Sequence, residues 1–306
     1  MKTPAGSILE KMAQEIPSPV LPRTYLFVQT IESTWRPVVI GVLMTAVYSR
    51  VLGKLVSDWW NIPDFSHGFL VPIFVTYMVW VKRSTLRRTT IAPTWIGIGV
   101  IVLALLVLLL GIYGAELFLS RVSLLILLTG LVLSFGGWQL LRELRFALLV
   151  LFLAIPIPAI ILNEITIPLQ IVASKLASGL LPLFGVPVFR EGNVIALPAM
   201  KLEVAEACSG IRSLISLITL SVFYGYFVER SLLRRLVIVV ASIPIAIAAN
   251  AVRILGTGLC VQYWDPDKAE GFFHEFSGWV IFLVSLGCLL GVHRLMSLFP
   301  SARKQA

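Results

Sequence analysis

The run WIGIGVIVLALLVLLLGIYG, residues 95–114, carries no charged side chain along its length. A helix rises 1.5 Å per residue, so about 20 apolar residues match the hydrocarbon core of a bilayer, about 30 Å thick. A helix that is apolar on every side has no face to offer water. Comparable runs stand at 38–57, 65–81, 117–136, 146–162, 210–228, 236–259 and 277–297. The run at 65–81 is short, and its helix is expected to extend back into Ser66 and His67. The whole composition agrees: of 306 residues, 58% are hydrophobic and 13% charged, with a mean hydropathy of +0.92. A water-soluble domain carries about 25% charged residues. The expected fold is an all-α polytopic membrane protein of about eight transmembrane helices.

The net charge of +9 reflects the placement of cations rather than a nucleic-acid partner. Lys82, Arg83, Arg87 and Arg88 fall in one short connection, Arg142 and Arg145 in another, and Arg230, Arg234 and Arg235 in a third. Arg294 lies near the end of the last run, and Arg303 and Lys304 follow it. Eight spans with both termini cytoplasmic put all of these on the inner side, as the positive-inside bias requires. Residues 1–35, polar and punctuated by Pro4, Pro17, Pro19 and Pro22, read as a cytoplasmic tail rather than a cleavable signal. Residues 36–162 then form the N-terminal transmembrane helices, and 163–306 an outer-face segment with the last three.

The stretch 164–205 departs from this pattern. Residues 164–185 are only moderately apolar, interrupted by Pro168, Lys175, Gly179 and Pro182. They read as an amphipathic helix lying on, or dipping into, the outer interface. A ninth span is the rival reading, and it would invert everything after it. Val186, Val188, Val194, Leu202 and Val204 then alternate loosely with charged residues around Gly192-Asn193, the signature of a short β-hairpin outside the membrane.

Polar residues gather near the outer surface. Cys208 sits in AEACSGIRS at the outer start of the 210–228 run. Arg253 is 17 residues past Leu236, roughly 26 Å along a helix and near its outer end. His274, in GFFHEFSGW, precedes the last run. Topology therefore brings a thiol, a guanidinium and an imidazole to one depth on one side. These types suit acyl transfer. A thiol at a helix N-terminus or beside a cation is acidified to the nucleophilic thiolate. Imidazole moves protons near neutral pH, and a guanidinium stays charged and stabilises an oxyanion. Each has an ordinary reading too, as buried thiol, snorkelling cation and surface imidazole. Supporting candidates are Arg212, one turn past the cysteine, Glu206, Asn250 on the face of Arg253, and His67 at the outer start of the second run. Arg121 is expected to pair with Glu116, and Cys288 to be core. Cys208 and Cys260, both near the outer side, are one conceivable disulfide. No metal-ligand spacing links the histidines and Cys208, and neither a metal nor a cofactor is expected.

EACSGIRS, followed by Asn250-x-x-Arg253 and by His274 before Glu-Phe-Ser-Gly-Trp, resembles the exosortase/archaeosortase family. SHGFLVP (66–72), PLQIVAS and EGNVIALP extend the likeness over about 60–300. The resemblance implies a bacterial inner-membrane cysteine protease and transpeptidase, associated with exopolysaccharide production, its site on the periplasmic side. Its partners would be PEP-CTERM substrate proteins, which end in a Pro-Glu-Pro motif, a transmembrane helix and a basic tail, held among membrane lipids. The family's Cys, Arg and His fall on Cys208, Arg253 and His274, which makes 163–306 the catalytic half. The acceptor that resolves the thioester is not implied. A basic tail would meet Glu229 or Glu143, and the motif's Glu would meet Arg212, Lys201 or Arg190. Three other classes stay in view: a protease that only hydrolyses, a polysaccharide-export subunit, and a scaffold that tolerates Cys208→Ala.

Overall fold

The computed structural model describes residues 23–204, 210–264 and 272–298, with side chains from 38 in the first stretch and from 276 in the last. Cys208 and Glu206 lie outside the described residues, and so does the side chain of His274. The chain divides into two units, 1–52 and 53–306. The described part of the first is the opening of helix α1 (Arg23–Asn61). The second holds the remainder.

After α1 come a 3-10 segment (Pro63–Phe69), α2 (Leu70–Val81), the short α3 (Arg83–Arg88), α4 (Ile96–Tyr113) and α5 (Leu117–Leu151). Then follow α6 (Ala159–Leu180), β1 (Phe189–Glu191), β2 (Val194–Ala196), β3 (Lys201–Glu203), α7 (Ile211–Val228), α8 (Leu232–Tyr263) and α9 (Phe272–Leu298). Among the described residues, eight helices are long and apolar enough to cross a membrane. Large apolar side chains such as Leu110, Ile160 and Leu283 face outward. That arrangement would be anomalous in water and is ordinary against lipid. Where α4 meets α5 the buried positions include several small ones: Gly97, Gly111, Ser120, Ser123 and Gly130. Small residues let transmembrane helices approach closely. Cys288, expected in the core, is exposed on α9.

Hydrogen bonds fix which helix ends lie together. The Ala92 amide donates to the Gly136 carbonyl, and the Glu116 amide to the Gly111 carbonyl, so α4 and the first half of α5 form an antiparallel hairpin. Gly137, with φ 75 and ψ −169, then breaks α5. Only glycine takes up this backbone readily, and a Cβ there would also strike the Ala92 carbonyl. The second half of α5 returns along α2. Lys82 Nζ reaches Glu143 at one end (3.2 Å), and His67 Nε2 donates to the Leu153 carbonyl at the other (3.2 Å). The runs at 117–136 and 146–162 are thus separate passes, joined by one glycine rather than by the loop their spacing suggested.

The same kind of contact fixes where the segment that carries 164–185 is attached to the bundle. The chain leaves the bundle at Leu153, beside His67, and re-enters at Arg212, which bonds Asp64. Both points are on the 3-10 segment, at one end of the bundle. The segment between them, which holds α6 and the sheet, therefore begins and ends at that end, and α6 itself is long and apolar enough to cross a membrane. It packs with the sheet and the tip of α8 in a core of Ala173, Ala177, Leu181, Ile195, Leu202 and Ile254. The hairpin exists as expected, with Glu191 opposite Val194 and Gly192 at φ 61 in the turn. The sheet has a third, unforeseen strand, β3, paired antiparallel to β2. Tyr263 Oη donates to the Phe184 carbonyl (2.5 Å) and ties α8 to the end of this layer.

At the same end of the bundle Arg121 pairs with Asp58 at 2.5 Å, not with Glu116, and their side chains are 3% and 10% exposed. Glu116 instead caps α5, accepting from the Leu119 amide. Lys54 adds a second contact to Asp58 (3.3 Å). Removing one partner of a buried pair costs about 3–5 kcal/mol, whereas replacing both by apolar groups is often neutral. Asp58→Asn is therefore expected to lower the thermal midpoint of the detergent-solubilised protein sharply, and Asp58→Leu with Arg121→Met to restore most of it. A double variant no better than the single one would contradict this account of the pair.

Candidate active site

A cavity of about 920 Å³ opens at the end of the bundle where His67 and Arg253 lie. The 3-10 segment, α7, α8 and α9 each contribute to its wall. Gly210 brings the chain into α7 with φ 65. A Cβ at Gly210 would come within 2.7 Å of the Asn250 side chain, so the backbone lies directly against that residue. Asn250, buried on α8, stands behind the cavity and supports the turn rather than lining it. One turn further along α8, Arg253 lines the cavity. Its guanidinium lies against α9 at Gly278, where an added Cβ would be 3.3 Å from Nη2.

The sequence placed Arg253 near the outer end of its helix with two other groups. The structure brings Arg253 together with Gly210 and Gly278. Cys208 precedes Gly210 by two residues in the sequence, a reach of at most about 7 Å along the chain. The backbone of His274 is in the first turn of α9, four residues before Gly278. Four residues of helix rise about 6 Å.

His67 lines the wall and is 7% exposed. Its Nε2 donates to the Leu153 carbonyl. The next residue, Gly68, sits beneath the indole of Trp59, whose Nε1 donates to the Ala154 carbonyl (2.8 Å). These contacts lock the 3-10 segment to the end of α5 and fix the ring at the cavity. Arg212 also lines the cavity, more than half exposed, with Nε 3.3 Å from Asp64 Oδ1. Two guanidinium groups and no carboxylate therefore appear among the described lining residues. The charge of Arg212 is already met by Asp64 beside it.

Several suggestions fare less well. Arg190 folds back on its own turn, donating to the Gly192 carbonyl (2.6 Å), and Lys201 belongs to the sheet. Neither lines the cavity. At the far end of the bundle Glu143 is paired with Lys82, and Glu229 accepts from Arg234 (3.5 Å) and meets His293 Nε2 (3.1 Å). Both carboxylates already have cationic or imidazole neighbours. Sequence reading overlooked Ser213, Ser216 and Thr219 on α7 and Trp60 and Trp279 at the rim, all of which line the cavity. The signal was present in the three-residue spacing of hydroxyl residues through an otherwise apolar helix.

Among the described residues no group of three or more His, Cys, Asp or Glu is arranged to hold a metal ion. Comparison with known proteins gives one family: the model described as Transmembrane exosortase (Exosortase_EpsH) matches residues 59–291, most of the chain. No curated protein and no solved structure matches it. The matched region starts at Trp59 near the end of α1, stops inside α9 and contains every described residue that lines the cavity.

Proposed function

Because the chain belongs to the transmembrane exosortase family, we propose that it is a membrane-embedded cysteine peptidase and transpeptidase acting on C-terminal sorting signals of the Pro-Glu-Pro type. The observation that carries the reading is the convergence on one cavity of Arg253, Gly210 and Gly278, the last two being neighbours in sequence of Cys208 and His274.

In this mechanism the Cys208 thiolate attacks the carbonyl carbon of the scissile peptide bond, and Arg253 stabilises the tetrahedral oxyanion. The C–N bond then breaks, His274 delivers a proton to the leaving amine, and an acyl-thioester remains on Cys208. An amine resolves it to a new amide, or water to a carboxylic acid, and the thiol is regenerated. Arg212, at the cavity wall beside Asp64, is the cation proposed to meet the motif's glutamate. The three basic connections gather with Lys82 and Glu229 at the opposite end, and the positive-inside bias supports a cavity that faces away from the cytoplasm, the periplasmic face of an inner membrane in the proposed reading.

The test is co-expression with a tagged protein ending in a Pro-Glu-Pro motif, an apolar helix and a basic tail. The expected result is a shortened product whose C-terminus, read by mass spectrometry, lies near the motif. A C-terminus carrying an added group indicates ligation, and a free acid hydrolysis. A substrate that stays whole whenever the enzyme is present contradicts the reading.

A further inference from the structure

The cavity is deeper than acyl transfer at its mouth requires. Along α7 its lining runs from Gly210 to Phe223, which is about 20 Å of helix and most of the way across the hydrocarbon. The floor is one face of α7, with Ser213, Ser216 and Thr219 at helical spacing above Leu220 and Phe223. The walls are bulky: Leu70 on α2 stands on one side, Trp279 and Phe282 on α9 on the other. Small hydroxyl residues between large walls form the kind of seat into which a transmembrane helix packs closely.

Thr219 supplies an independent observation. Its side chain is 2% exposed, and its buried hydroxyl has no hydrogen-bond partner. Threonines inside helices usually satisfy that hydroxyl by donating to the carbonyl four residues back. Thr76, Thr129, Thr166 and Thr257 do so here. Thr219 does not, and it lines the cavity. A buried hydroxyl without a partner costs about 1–3 kcal/mol, and an incoming chain that offers an acceptor recovers that energy.

We propose that this groove, floored by α7 between α2 and α9, seats the single transmembrane helix of the protein substrate, with small side chains of that helix against Ser213, Ser216 and Thr219. The inference rests on the peptidase reading and deepens it. The groove is continuous with Arg253 at its mouth, so a helix lying in it delivers the segment just before it, with its acidic residue, to the reactive end. The groove thus selects for a helix-anchored substrate and sets the depth at which the chain is cut.

The experiment places a photo-crosslinking phenylalanine at Ser216 or Leu220 in the Cys208→Ala protein, co-expressed with the tagged substrate. A matched control carries it at Val240, on the outward face of α8. Substrate adducts are expected at 216 and 220 and not at 240. Ser216→Phe, which fills the groove, is expected to slow processing about tenfold or more, as overpacked sites resist a guest, while Val240→Phe, on the outward face of α8, stays within about twofold. Lipid adducts alone at 216 and 220, or equal substrate adducts at all three sites, would overturn the seat, as would a Ser216→Phe protein that processes at the wild-type rate. Wild-type processing in the same membranes separates the two claims. If it occurs while the groove results fail, the seat is wrong and the peptidase stands; if it does not occur, both fall.

Discussion

Cys208→Ala is expected to leave a co-expressed sorting-signal substrate at full length. Loss of the nucleophile from a covalent hydrolase lowers turnover on the order of 10⁶-fold, which puts processing below detection on a blot. Cys208→Ser is expected to fail almost as completely. A hydroxyl near neutral pH needs a base to activate it, and the local features that favour a thiolate do little for an alcohol. The control is the thermal midpoint of each variant, which should stay close to that of the parent. Substrate shortened by Cys208→Ala would remove the cysteine from the mechanism and leave a scaffold or a partner protease as the better account.

The second large effect belongs to Arg253. Its guanidinium lines the cavity and packs on Gly278, and in the proposed mechanism it meets the charge that develops on the carbonyl oxygen. Removing one such donor costs about 10²–10³-fold in rate. Arg253→Gln is expected to lose that much, measured as the rate of substrate shortening in isolated membranes. Arg253→Lys is expected to recover only part, because an ammonium keeps the charge but not the planar array of donors. If Arg253→Gln works within about threefold of the parent, the residue is a packing element on Gly278 and not part of the chemistry.

How much of this was legible beforehand depended on the kind of signal. The apolar run at 96–113 admitted one reading, because a charge-free stretch of that length has no alternative in a 306-residue chain. The Leu236-to-Arg253 spacing set Arg253 well along its helix, where it lines the cavity beside Gly278. Other features had no local signature. Gly137 looks like one more glycine in a Gly-Gly pair, and its φ of 75 is imposed by the return of the chain along α2. Strand β3 is three residues long with two charges, and only its pairing with β2 makes it a strand. The partner of Arg121 proved to be Asp58, 63 positions away, rather than the nearby Glu116. The pattern at Ser213, Ser216 and Thr219 was visible but is shared by helices that merely pack together. What singles it out is the space in front of it and an idle hydroxyl.

The most direct measurement of the central claim is the intact mass of the purified enzyme after brief exposure to a soluble or detergent-held substrate and acid quench. The account requires an increase equal to the acyl part of the substrate. The adduct must be carried on the peptide containing Cys208, be released by hydroxylamine as a thioester is, and be absent in Cys208→Ala. Substrate turnover without any such adduct under conditions that slow its resolution, or an adduct on another residue, would contradict it.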